Sequence, residues 1–308
     1  MIAGHHLLGM RGVSADSIYG ILATAQGFKA ISQRKIKKVP SLRGRTILNV
    51  FYENSTRTRV SFELAAKRLS ADGVNISASG SSVAKGESLL DMAQTLNAMK
   101  ADAVIIRHPS SGAPHFLADR IDARIINAGD GLHEHPTQAL LDIMTIWEKF
   151  DELEGLNVAI IGDIKHSRVA RSNLLAMRTL GMNVRVAGPA TLLPRDLATV
   201  YGCEVCKSVD EAVEGAHVVM SLRLQQERMT GGMLPSLREY AIEYGINAKT
   251  LERTRPEAIL MHPGPVNRGV ELSPDIVDGG RSVILDQVEN GVAIRCAVLY
   301  LILGGSQQ

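Results

Sequence analysis

The chain has 308 residues, 45% of them apolar, and its 34 basic residues nearly balance its 32 acidic ones. That length exceeds a usual single core and points to two domains of roughly 150 residues each; the near-neutral balance, without any basic tract, argues against a nucleic-acid partner. The start, MIAGHHLLGMRG, lacks a leader pattern, no run reaches membrane length, and the three cysteines, Cys203, Cys206 and Cys296, are too few and odd for a disulfide framework, so a cytoplasmic protein is expected.

In chain order, RTILNVF (Arg45 to Phe51) is β-branched and apolar and reads as a buried strand. Behind it, NSTRTRVSFELAAKRL (residues 54–69) has helical spacing. A helix start leaves backbone N–H groups unpaired and carries partial positive charge, so anions bind there readily. Ser55 alone reads as an ordinary N-cap. Arg57 does not fit that reading: a cation in the first turn opposes the dipole and is well placed only for a bound anion. Arg59 points about 200° away around the helix and reads as structural or ion-paired. Without the glycines of a Walker loop, the anion expected is a small phosphorylated metabolite.

SGSSVAKGESLLDMA follows, a small-residue loop carrying Lys85 ahead of a helix expected near Glu87; taken alone, Lys85 reads as a solvated cation. The strand Ala103–Arg107 ends in RHP. Open α/β sheets bind ligands beyond the carboxyl ends of strands, so Arg107 is a second clamp candidate, although a solvated strand end explains it equally well. After the strand Arg124–Asn127 comes GDGLHEHPTQALLD. His133 and His135 have H-x-H spacing, but no further ligand cluster is evident, and no metal is expected. His135 and Gln138, three apart, share a helical face and offer an imidazole donor and a carboxamide, which suits a carbonyl and an amino group on one ligand. The helical pattern from 135 to 150 would join the two domains, with the boundary near residue 150.

In the second half, strands at Val158–Ile161, Val184–Ala187, Val218–Ser221 and Ile259–Met261 alternate with helices, the pattern of a parallel sheet covered on both faces. LNVAIIGDIKHSRVARSNLLAM suggests dinucleotide binding, but after Gly162 come Asp163, Ile164 and Lys165, so the second glycine is missing. The Rossmann-like topology stays and the nicotinamide cofactor is set aside. Arg168 stands at the start of the next helix. CEVC, with Cys203 and Cys206, has half-zinc-site spacing without a second pair and reads as coincidence. RLQ ends a strand with Arg223 and Gln225, and HPGP makes a rigid turn at Pro263 and Pro265 whose carbonyls can serve as acceptors. The apolar helix over about 287–304 is expected to return to the first domain. The fold class is therefore α/β: two Rossmann-like parallel-sheet domains joined by a long helix, residues 1–150 with 287–304, and residues 151–286. Five cations (Arg57, Lys85, Arg107, Arg168, Arg223), one histidine and no obvious nucleophile suit positioning and electrostatic catalysis on anionic reactants.

FYENSTRTRVSFE, RHP, HPTQ, GDIKHSRVARS, RLQ and HPGPVNRG, in that order over nearly the whole chain, resemble the aspartate/ornithine carbamoyltransferase family. The ornithine branch has H-C-L-P in the late loop; this chain has HPGP and supplies Arg168, Arg223 and Gln225 for a dicarboxylate, which favours aspartate. The resemblance implies transfer of the carbamoyl group of carbamoyl phosphate to L-aspartate, an early step of pyrimidine biosynthesis, without cofactor or metal. It implies that Ser55, Thr56, Arg57 and Thr58, helped by Arg107, bind the phosphate. Thr58, Arg107 and His135 would hold the carbonyl oxygen; Gln138 and the backbone near Gly264 and Pro265 would take the amino group. Arg168, Arg223 and Gln225 would hold the aspartate carboxylates. It also implies a homotrimer in which a neighbour inserts Ser81 and Lys85 into each site. Regulatory chains or a dihydroorotase are possible further partners; neither nucleic acid nor a membrane is expected.

Overall fold

The computed structural model describes residues 5–77, 88–229 and 232–304, so Ser81 and Lys85 lie outside the described residues. The chain divides into two compact units, Met1–Leu141 with Val288–Gln308, and Asp142–Gln287.

The first unit contains α1 (Ala15–Ser32), β1 (Thr46–Phe51), α2 (Thr56–Arg68), β2 (Asp72–Ser77), α3 (Leu89–Ala98), β3 (Ala103–His108), α4 (Ala113–Ala118), β4 (Arg124–Asp130) and the start of α5 (Pro136–Phe150). Its four strands pair in parallel in the order β2-β1-β3-β4. The inner strands are largely apolar because helices cover both faces, with Asn49 in β1 and Arg107 and His108 at the end of β3 among the polar exceptions. On one face Leu48, Val50, Val104, Ile106 and Ile125 pack with Met92 and Leu96 of α3 and Leu117 of α4. The edge strand β2 was not anticipated from the sequence: its residues Asp72 to Asn75 are exposed, so it carries no apolar run, and its register with β1 alone defines it. At the other edge Leu7 bridges to Ile126.

The second unit contains β5 (Asn157–Ile161), α6 (Arg168–Thr179), β6 (Asn183–Ala187), α7 (Leu197–Tyr201), β7 (Glu204–Val205), α8 (Val209–Val213), β8 (Val218–Ser221), α9 (Leu237–Tyr244), α10 (Ala248–Leu251), β9 (Ile259–Met261) and α11 (Pro274–Val277). Its parallel sheet has the order β7-β6-β5-β8-β9, the doubly wound arrangement.

The division between the two units falls inside α5, between Leu141 and Asp142. The buried carboxylate of Asp142 accepts hydrogen bonds from Asn173 Nδ2 and Gln287 Nε2, each at 2.7 Å, which ties the later turns of α5 to the second unit. The last helix, α12 (Ile284–Leu303), is counted with the first unit from Val288 onward. There Tyr300 meets Phe28 edge to face at 5.6 Å, and the Arg295 guanidinium lies 5.0 Å from the centre of the Phe62 ring. Among the described residues no helix is long and apolar enough to cross a membrane.

Candidate active site

In both sheets the strand order reverses once, between β1 and β3 and between β5 and β8. Reversal sends the flanking loops to opposite faces and opens a crevice beyond the carboxyl ends of the two strands, where ligands of such sheets bind. Most of the residues singled out in the sequence lie at the ends of those strands, the others after β4 and β9.

In the first unit, β1 leads directly into α2. Ser55 occupies the N-cap position with extended backbone, but its side chain makes no capping hydrogen bond, and the first turn holds no acidic residue. Arg57 is exposed at the second helical position, whereas Thr58 is buried. Arg59, also exposed, adds to the field that holds the Glu63 carboxylate below its usual range; hydrogen bonds from Lys67 and Asn75 dominate that shift. Arg107, at the end of β3, lies opposite Phe51 in the register, and its carbonyl accepts the Tyr52 N–H at 2.9 Å. Its Nε donates to Glu53 at 3.2 Å, so the guanidinium is held beside the start of α2. The adjacent His108 is structural. Burial lowers its pKa, and its Nδ1 accepts the Ser110 N–H at 2.9 Å.

The end of β4 carries the third part of this half. His135 is buried immediately before α5, where its carbonyl accepts the N–H groups of Gln138 and Ala139 at 3.0 and 3.3 Å. It therefore takes the N-cap position with Pro136 as the first helical residue, a place where the missing proline N–H costs nothing. Thr137, fully buried between His135 and Gln138, has a hydroxyl without a hydrogen-bond partner among the described residues. Beneath this turn lies a buried knot that sequence reading missed. Asp130 accepts from Asn127 Nδ2 at 2.8 Å, Gly112 N–H at 2.7 Å and Glu134 N–H at 3.1 Å. The Glu134 carboxylate in turn accepts the Met10 N–H at 2.6 Å.

In the second unit, the loop after β5 gives its glycine a structural role. Gly162 has φ +120°, and a Cβ built there would meet the Tyr240 hydroxyl at 2.6 Å. This glycine is therefore needed to admit the hydroxyl of a buried tyrosine. Asp163, fully buried, accepts from His166 Nδ1 at 2.9 Å and from the Gln225 N–H at 3.3 Å, linking the β5 loop to the β8 loop. Ser167 caps α6 by accepting the Ala170 N–H at 3.1 Å, and Arg168 follows as the first helical residue, buried to 4% exposure. Burying a cation at the positive end of a helix is costly unless acceptors or an anion share its surroundings.

Arg223 and Gln225 lie just beyond β8. Arg223 holds a forked ion pair with Glu227, at 2.6 and 3.2 Å, and donates to Gln225 Oε1 at 3.3 Å; its Nε is buried without a partner among the described residues. Beyond the neighbouring β9, Gly264 has φ +63°, its peptide to Pro265 is cis, and its N–H donates to His262 Nδ1 at 2.8 Å.

Glu271 connects these two loops and was also missed. Its carboxylate accepts the Leu224 N–H at 2.8 Å, and the Asn267 N–H and Nδ2 at 2.7 Å each, and it lies 3.4 Å from His262 Nε2. Burial pushes its pKa up, but the contacts with His262, Leu224 and Asn267 outweigh that and hold it below the usual carboxylate range. The only trace in the sequence is an acidic residue four positions after Asn267.

The CEVC cysteines are free and buried. Burial raises both thiols, Cys206 to about 11, so neither is a ready nucleophile. A surface cleft lined by Arg45, Lys100, Asp102 and Arg124 lies at the amino ends of β1, β3 and β4, the end of the sheet where such folds do not bind ligands.

Each unit thus places two arginines at the switch point of a doubly wound sheet. Residues 5–148 match the family model "Aspartate/ornithine carbamoyltransferase, carbamoyl-P binding domain", and residues 154–302 match "Aspartate/ornithine carbamoyltransferase, Asp/Orn binding domain". The chain belongs to the aspartate/ornithine carbamoyltransferase family. It is 59% identical over 302 residues to the aspartate carbamoyltransferase catalytic subunit of Syntrophotalea carbinolica, covering 98% of this chain and 96% of that protein. Its structure is similar, with a TM-score of 0.89 and 30% identity, to ornithine carbamoyltransferase from Pyrococcus furiosus, covering 99% of both chains. The same score and identity hold for aspartate transcarbamoylase from Trypanosoma cruzi in complex with carbamoyl phosphate and aspartate, over 98% of both chains.

Proposed function

We propose that this chain is an aspartate carbamoyltransferase, which moves the carbamoyl group of carbamoyl phosphate onto the amine of L-aspartate and releases N-carbamoyl-L-aspartate and phosphate. The observation that carries this reading is the pairing of cations with the two switch points: Arg57 and Arg107 beyond β1 and β3, Arg168 and Arg223 beyond β5 and β8. The fold alone does not choose between amines, since aspartate and ornithine enzymes match it equally. The choice rests on the second unit. Two arginines and Gln225 suit a dicarboxylate, whereas an amine side chain would meet like charge.

In this reading the first turn of α2, with Ser55, Thr56, Arg57 and Thr58, takes the phosphate together with Arg107. Thr58, Arg107 and His135 point donors at the carbonyl oxygen. Gln138 and the backbone at Gly264 and Pro265 accept the amino group. The uncharged amine of aspartate attacks the carbamoyl carbon, the oxygen becomes an oxyanion, and the bond from carbon to the phosphate oxygen breaks. The proton leaves the amine for the departing phosphate. Fixed donors aimed at the developing oxyanion supply the main lowering of the barrier, and the cations bring two anions together against their repulsion. Ser81 and Lys85 belong, on the same reading, to a neighbouring chain of a homotrimer. Assemblies with regulatory chains or a dihydroorotase, and a place in pyrimidine biosynthesis, are consistent with it.

A colorimetric ureido assay with carbamoyl phosphate and each amine in turn tests the assignment. Carbamoyl-aspartate and phosphate should form in equal amounts, and ornithine should give no citrulline above background. Turnover of ornithine in preference to aspartate would overturn it.

A further inference from the structure

We propose that His115, Asp130 and His133 form a surface site for one divalent transition-metal ion, with Zn2+ as its natural chemical type, separate from the anion-binding groups. The H-x-H pair of the sequence is divided by the fold. His135 is buried at the start of α5, whereas His133 stays on the preceding turn with 39% of its side chain exposed. There it meets an exposed histidine from α4. One ligand atom from each of His115, Asp130 and His133 lies within 4.8 Å of the others, and the two imidazole rings are 5.6 Å apart.

Two features distinguish this group from an incidental cluster. His133 Nδ1 lies 3.1 Å from Asp130 Oδ2, close to the separation of two ligand atoms held at about 2.0–2.2 Å from a common ion. The carboxylate is also fixed in the way ligating carboxylates are, by hydrogen bonds from behind. Asp130 is fully buried; its Oδ1 receives Asn127 Nδ2 and the Glu134 N–H, and its Oδ2 receives the Gly112 N–H, leaving the second lone pair of Oδ2 toward the imidazole. Burial alone pushes the Asp130 pKa up, but the contacts from His133, Gly112, Asn127 and Glu134 outweigh it and keep the group anionic.

Two imidazoles and one carboxylate, with the remaining positions open to water, select Zn2+, Co2+ or Ni2+ over Mg2+ and Ca2+. His115 is exposed, and its ring stands beside that of His133 to complete the set. The ion then ties α4 to the turn that leads into His135.

Isothermal titration of the chelator-treated, full-length protein with Zn2+, in a non-coordinating buffer, tests this directly. The titrations use a Cys206→Ser background, because Glu204, Cys206 and Glu211 also bring three possible ligand atoms together. One equivalent per chain is expected. His115→Ala and His133→Asn should each weaken binding by about tenfold or more and abolish the visible d–d absorption of bound Co2+. His115→Ala should leave basal turnover unchanged. Isotherms that are the same with and without these histidines, or the lack of any stoichiometric Zn2+ binding, would overturn the proposal.

Discussion

Arg57 stands at the second position of α2, where the helix dipole disfavours a cation and no acidic residue shares the first turn. Ser55, the residue that would ordinarily cap such a helix, leaves its hydroxyl out of the cap. On the proposed reading, one bound phosphate would resolve both departures from good helix chemistry. Arg57→Ala is therefore expected to leave the fold intact and to lower turnover by several hundredfold, since losing one preorganised contact to a developing charge costs roughly 3–4 kcal/mol. Circular dichroism with steady-state kinetics at saturating carbamoyl phosphate checks this. Near-normal turnover would remove Arg57 from the site. His135 is argued differently: it is buried, it sits one turn before Gln138, and on this reading it donates to the carbonyl oxygen. His135→Ala should mainly lower kcat, with a smaller change in the KM for carbamoyl phosphate, as expected of a contact that strengthens in the transition state.

At the scale of elements, the loops that follow β8 and β9 have little secondary structure of their own and are held by one buried carboxylate. Glu271 receives N–H groups from Leu224, beside Arg223, and from Asn267, just past Pro265. Replacing it with Gln keeps the size but turns one of its acceptors into a donor that faces N–H groups. Glu271→Gln should therefore raise the KM for aspartate by about tenfold or more, while the KM for carbamoyl phosphate changes little. Equal effects on both would mean general loosening of the fold. The same group gives a pH prediction. Its pKa in the folded chain, like that of Asp130, lies below the unfolded value, so protonation favours unfolding. Its stabilisation is complete above the unfolded pKa, about 4.3, and is lost as pH falls through the lower folded value. Melting temperatures measured on descending from about pH 6 to pH 3 should be level at first and then fall, and the fall should be shallower in Glu271→Gln. An identical slope in the two proteins would show that Glu271 carries none of it.

At the scale of the molecule, the homotrimer reading makes Lys85 a donated residue and Arg57 a resident one. Arg57→Ala and Lys85→Ala proteins should each be nearly inactive. After reversible dissociation and equal mixing, a site is intact wherever a Lys85→Ala chain receives its neighbour from an Arg57→Ala chain, about one site in four for random assembly. Recovery of roughly that share of activity is expected, with hybrid trimers verified by native mass spectrometry. No recovery in the presence of hybrids would place Lys85 in its own chain's site or in none.

Much of this architecture follows from local signals. Continuous β-branched runs mark strands buried on both faces, so β1, β3 and β8 were legible in the sequence, and cations at helix starts, where the dipole disfavours them, singled out Arg57 and Arg168 as candidates. The motif order was enough to indicate the family. The tertiary structure alone decided what depends on residues far apart in sequence. Exposed β2 is a strand only because β1 supplies its partner. Gly162 has no room for a side chain because Tyr240 approaches it from another helix. Asp163, Asp130 and Glu271 look like ordinary acidic residues until burial removes their water and leaves backbone N–H groups and neighbouring side chains to compensate. His133 and His135, two apart in sequence, part company because His135 is buried as the N-cap of α5 and His133 stays half-buried on the turn, a choice made by packing and not by spacing.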